Sequence, residues 1–173
     1  MKSSRALLLL LLFVAVAFGA WKFFSSRGPG AADHLTVYYT KLDGTTLGRW
    51  PVSLRTQQSG ESDIEHLHNM VLYAAVQAVA GPPSDVSAIR FPPGTHVLGV
   101  NVHGSTATVD LSKDVTSQGG GSFGETGEFK GLVYTVTGVP TIQAVQVTIE
   151  GSTVATLPGG HLELDTPLRR SDF

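Results

Sequence analysis

An α/β domain of the α+β kind, with two helices packed on a small mixed sheet built around two β-hairpins, is what three features of this 173-residue chain predict. Ser62 and Glu65 form an S-x-x-E capping box ahead of apolar residues at helical spacing. Two stretches, Leu98–Leu111 and Val145–Val154, alternate apolar and polar residues about a turn, as hairpins with one buried face do. Between them, Phe129, Leu132, Val133 and Val136 recur at the spacing of a second helix.

The chain opens with Lys2 and Arg5, an uncharged run from Ala6 to Trp21, then Lys22 and Phe23-Phe24. Counted through Phe24 the run is 19 residues. As a helix that is about 28 Å, close to the ~30 Å of a bilayer core. Residues 1–24 read as a signal anchor, with Trp21 and Lys22 at the interface. The competing reading is a cleaved signal peptide, because Ala15-Val16-Ala17 is an A-x-A site. Either exports the domain: single-pass on the cytoplasmic membrane if the leader stays, periplasmic or secreted if it is cut. Residues 25–34, with Gly28-Pro29-Gly30, are a flexible linker, 35–168 the domain, and 169–173 a C-terminal tail.

Leu35–Thr40 is a β-branched and aromatic strand, and Val52–Arg55 a second one after a turn-rich connection. The capped helix carries Ile64, Leu67, Val71, Leu72, Ala75, Val76 and Val79, and stops at Gly81-Pro82-Pro83. If His103-Gly104 is a two-residue loop, the first hairpin pairs Val102 with Ser105, Val100 with Ala107 and Leu98 with Val109. Leu98, Val100 and Val102 then share the core face with Ala107, Val109 and Leu111, leaving Asn101, Thr106, Thr108 and Asp110 on the other. In the second hairpin Val145, Val147 and Ile149 alternate before Glu150-Gly151, and Val154 falls opposite Val147. The segment "LVYTVT" is the ambiguous one. It is rich in strand formers, and Gly127 and Gly131 weaken a helix, but its length and the stop at Gly138–Pro140 favour helix.

The ordered signals "VYYT", "AVAGPP", "FPPGTHVLGVNVHGSTATVDLS", "FKGLVYTVTGVPTIQAVQVTIEG" and "PGGHLELDTPL" resemble the GerMN domain of bacterial sporulation and germination proteins, over about Leu35 to Leu168. The resemblance implies a compact domain of two helices against a small sheet, helical around Leu132–Thr137, in an exported envelope protein. It supplies no catalytic residues. Lipid-anchored members carry a lipobox cysteine. This chain has no cysteine at all, which also excludes disulfides, thiolate zinc sites and a cysteine nucleophile.

From Gly28 onward eight Lys and Arg face all fourteen Asp and Glu, a formal charge of −6. Such a domain is a poor ligand for nucleic acid, whose affinity comes mainly from neutralised phosphates. Asp110, Ser112 and Asp114 resemble half a calcium loop, but Val115 and Gly121 stand where the loop needs glycine and glutamate. A strand-ending turn with Asp or Ser capping amides fits better. His66 and His68 lie about 200° apart around a helix and cannot share a metal. Glu65 with His68 is a pair, and two ligands make no site. His34, His96, His103 and His161 imply no pairing. "GxSxG" is absent, and Gly119-Gly120-Gly121-Ser122 lacks the lysine of a phosphate loop. Trp50-Pro51 and Phe91-Pro92-Pro93 are apolar loop elements expected to pack on the core.

The expectation is a non-enzymatic interaction or assembly module of the envelope, with no catalytic, metal or cofactor-binding residues and no cofactor. Its expected partners are the membrane through the N-terminal helix and envelope proteins or peptidoglycan. Weak homo-assembly is expected through the second hairpin, Ala144–Thr156, whose strands lack the lysine that blunts an edge. A binding module for peptidoglycan or a small envelope ligand is the alternative. A wall hydrolase would need paired carboxylates or a metal cluster, which the sequence does not display.

Overall fold

The computed structural model describes residues 34–54, 56–117, 121–158 and 160–173. The expected anchor or signal segment and the linker up to Asp33 lie outside them, as does the Gly119–Ser122 run except that a helix begins at Gly121. Among the described residues no helix is long and apolar enough to cross a membrane. His34–Phe173 forms one α+β unit. Two helices pack against a two-stranded sheet and a separate three-stranded mixed sheet, where the sequence suggested one sheet.

β1 (His34–Thr40) and β2 (Leu47–Ser53) form an antiparallel hairpin in unbroken register, from His34 opposite Ser53 to Thr40 opposite Leu47. β2 starts five residues before the expected Val52, so Trp50-Pro51 belongs to a strand and not to a loop, and both residues are exposed instead of packing on the core. Asp43 is the reason. Its Oδ1 accepts the Thr45 and Thr46 amides at 2.9 and 2.8 Å, and the Lys41 amide donates to the Thr46 carbonyl. The tight turn this makes feeds Leu47 straight into the ladder.

α1 (Asp63–Ala80) begins at Ser62 with both halves of the capping box formed. It ends at Gly81, whose φ of 71° lets its amide reach the Gln77 carbonyl. Its fully buried residues are Val71, Ala74, Ala75 and Ala78, with Leu67, Met70, Tyr73 and Val79 packed beside them. Ile64 and Val76, expected on the inner stripe, are exposed. Small alanines at the centre let the helix approach its neighbours closely, so the inner face centres on 71, 74, 75 and 78. Phe91 turns inward as expected, edge-on to Phe129 at 5.6 Å between ring centroids.

β3 (Val97–His103) and β4 (Thr106–Leu111) pair with Val102 opposite Ala107 and Val100 opposite Val109. The loop is therefore Gly104-Ser105, one residue later than expected, and each pair has moved by two. A shift of two preserves the faces, so Val100 and Val102 still point inward with Ala107, Val109 and Leu111. Gly104 has φ 60°, the glycine-first geometry of a II′ turn. Leu98 departs from expectation. A bulge between Val97 and Gly99 turns Val97 toward the core and leaves Leu98 exposed.

α2 (Gly121–Val136) settles the ambiguous segment as helix and buries Phe129, Leu132, Val133 and Val136 completely. Two of its interior glycines, Gly127 and Gly131, sit at close contacts. A Cβ on Gly131 would meet the Tyr38 carbonyl of β1 at 3.0 Å, and one on Gly127 would meet Ile89 at 2.6 Å. After α2 the chain returns as β5 (Ala144–Ile149), parallel to β4, with Ala107 beside Val145 and Leu111 beside Ile149.

The expected second hairpin stops at its turn. Glu150 and Gly151 take positive φ and Ile149 bridges Ser152, but no return strand follows and Val154 does not pair with Val147. Leu157, Leu164 and Leu168 draw the chain back over the core. Leu168 exchanges backbone hydrogen bonds with Val145 at 2.9 and 2.8 Å, and the Gln146 side-chain Nε2 donates to the Leu164 carbonyl. The protein's own C-terminal segment thus covers the β5 edge that the sequence offered to a second copy.

Candidate functional site

Several side chains with chemical potential in the sequence are engaged in the fold. Asp110 Oδ1 accepts the Thr148 hydroxyl and the Gly151 amide, both at 2.8 Å, and so holds the turn after β5. Ser112 accepts the His96 amide, and its hydroxyl donates to Asp114 at 3.2 Å. Glu65 closes the capping box, while His66 Nδ1 lies 3.5 Å from a carboxylate oxygen of Glu61, just ahead of the helix. Among the described residues no three His, Asp or Glu side chains gather where a metal could sit. Beside the start of α1, Gln58, Gly60, Ile64, Glu65, His68 and Asn69 help line an open groove of about 580 Å³.

Sequence reading did not single out the two acids of α2. Glu125 is buried, one oxygen accepting the His161 amide at 2.9 Å and the other, Oε1, without a hydrogen-bond partner among the described residues. Gly160 lies so close that a side chain there would collide with the Glu125 carboxylate. Glu128, one turn on and partly buried, has its carboxyl pushed up to about 7, first by burial and then by the charge of Glu125. The i, i+3 spacing was legible; the burial was not.

An arginine–tyrosine cluster joins four elements. Tyr38 of β1 stands directly across from Arg49 of β2, whose guanidinium lies 5.7 Å from the ring centroid. Tyr134 of α2 meets Tyr38 edge-on at 5.7 Å. Arg170, in the turn Arg170–Asp172, lies over both rings, 5.7 Å from Tyr38 and 5.1 Å from Tyr134. It is fixed by donating to the Tyr134 carbonyl at 2.9 Å and the Thr137 hydroxyl at 2.7 Å. Among the described residues neither guanidinium has a carboxylate partner. Each is held by π-faces worth about 0.5–1 kcal/mol at an exposed site, which leaves hydrogen-bond donors free for an anion. Nothing in the sequence links positions 38, 49, 134 and 170, and the last was read as tail.

The fold defines a small α+β module of two helices on a two-stranded and a three-stranded sheet. The chain belongs to the Germane family, described as sporulation and spore germination, whose model matches residues 36–155. The tandem GerMN domains of the sporulation protein GerM from Bacillus subtilis are similar, with a TM-score of 0.58 at 19% identity over 81% of this chain. This chain spans 47% of that tandem structure. The first GerMN domain of the same protein matches with a TM-score of 0.57 at 18% identity, over 80% of this chain and 98% of that one. A Clostridium perfringens protein assigned as a lipoprotein matches with a TM-score of 0.54 at 18% identity, over 83% and 95% of the two chains. No curated protein matches.

Proposed function

We propose that the chain is a non-enzymatic GerMN module, tethered by its N-terminal segment to the outer side of the cytoplasmic membrane. There it acts as an interaction or assembly element of the envelope, serving sporulation or germination where the organism forms spores. The observation that carries this reading is a domain of the Germane family whose surface keeps binding groups unspent. Two guanidiniums have no carboxylate partner among the described residues, and the outer edges of β2 and β3 have no backbone partner there. The apolar leader and the lipoprotein relative support an envelope location. A peptide anchor takes the place of a lipid, because there is no cysteine to modify.

A second reading, a binding module for peptidoglycan or a small envelope ligand, draws on the open groove beside α1. Photo-crosslinkers placed around the domain in intact cells distinguish the two. Crosslinks to one defined protein support the assembly element, and retention on isolated peptidoglycan without protein crosslinks supports the ligand module. Muropeptides released by the purified protein would overturn both.

A further inference from the structure

We propose that the outer edge of β2, with Arg49 on its flank, takes an acidic, extended segment of another envelope protein as a third strand. This rests on the assembly reading and gives it a surface and a partner chemistry.

The β1–β2 sheet is closed on one side only. Along β1, the Tyr38 amide donates to Thr135 Oγ1 at 2.8 Å and Gly131 packs on the Tyr38 carbonyl, so α2 occupies that edge. Along Leu47–Ser53 no backbone group has a partner beyond β1 among the described residues. Such an edge is a template for a strand from another chain. The other sheet has one open edge too, since its own C-terminal segment covers β5. That edge, β3, is broken by the bulge at Val97/Gly99 and carries no Lys, Arg, Asp or Glu. β2 keeps register over all seven residues.

Charge selects the occupant. In a domain of formal charge −6, Arg49 and Arg170 both lie against Tyr38, each guanidinium 5.7 Å from its ring centroid. An acidic chain is repelled by most of the domain and attracted here, which gives direction as well as affinity. A strand added beside β2 places every second side chain on the Tyr38 face, about 7 Å apart, with the nearest opposite Arg49. Arg170 stands one strand further in and acts through its field. A second copy of this chain is the wrong occupant. Pairing β2 with itself brings arginine toward arginine and doubles the donor gap at Pro51, which a partner strand meets only once.

The test uses the purified full-length chain in detergent and a fluorescein-labelled eight-residue peptide alternating glutamate with threonine. Anisotropy is expected to show binding that weakens as salt rises. Arg49→Glu and the milder Arg49→Gln should each lose tenfold or more in Kd, and Arg170→Gln about threefold. Leu98→Lys on the β3 edge should change nothing, and melting curves confirm that each variant is folded. Hydrogen exchange should show new protection over Leu47–Ser53. Protection on Val97–His103 instead, equal binding of a lysine–threonine peptide, or no binding of the acidic peptide overturns the proposal. So does Arg49-dependent binding to phosphatidylglycerol vesicles or peptidoglycan sacculi in its place. In cells, a photo-crosslinker at Trp50 should capture a protein through an acidic stretch. Crosslinks from Asn101 or His68 but not Trp50 would sink the β2 edge and leave the assembly reading standing. Crosslinks from none of the three would remove both.

Discussion

Replacing Glu128 by glutamine should make the protein more stable above neutral pH and leave it almost unchanged near pH 5. Burial, and then the charge of Glu125, lift the folded-state carboxyl to about 7 from its ordinary value of 4.5. Between those values the folded state holds a proton that the unfolded chain has released. Unfolding free energy therefore falls as pH rises, by about 1.4 kcal/mol per unit at most, and levels off above about 7. The full swing would be about 3 kcal/mol, but Glu128 is partly exposed and solvent screening reduces it to about 1–2 kcal/mol. Glutamine keeps the shape and removes the titration. Urea unfolding of wild type and Glu128→Gln at pH 5, 6, 7 and 8 reads the difference. The curves should converge at pH 5 and separate by about 1–2 kcal/mol at pH 8. Asp43 and Glu65 have lowered values, so their contributions are lost only as pH falls through the acidic range, outside this window. Wild-type stability that stays flat from pH 5 to 8, or a glutamine variant with the same slope, would refute the reasoning.

Gly104→Val should cost about 1–3 kcal/mol, because a β-branched residue resists the φ of 60° at the β3–β4 turn, while His103→Ala costs little; equal melting temperatures would contradict this. Gly131→Val should destabilise by a similar amount although it lies in a helix, since its side chain would push α2 off the Tyr38 carbonyl; an unchanged urea midpoint would show that β1 yields freely. Ser62→Ala should cost about 1 kcal/mol by opening the capping box, and a midpoint within error of wild type would count against it. Mass spectrometry of the mature protein should find Met1 or Lys2 at its start; a chain beginning at Phe18 would mean that the leader is cleaved.

What the sequence made legible is what short-range chemistry decides, and the errors lie where distant segments do. Ser62, Glu65 and Gly81 act within a few residues of themselves, so both ends of α1 could be read directly. The β3–β4 faces survived a two-residue slip because alternation is insensitive to an even shift, whereas one bulge was enough to misplace Leu98. Val145–Ile149 reads the same whether its neighbour is a hairpin partner or a parallel strand. What decides is that α2 intervenes and carries β5 back alongside β4, with Leu164 and Leu168 arriving afterwards to close its far edge. The same cause hid the surface that now bears the functional proposal. Tyr38, Arg49, Tyr134 and Arg170 have no shared period or motif, and only the packing of α2 along β1 and the return of the C-terminus bring them together. That packing also shuts one edge of β1–β2 and leaves the other open, so one contact both assembles the arginine–tyrosine face and determines which strand a partner can reach.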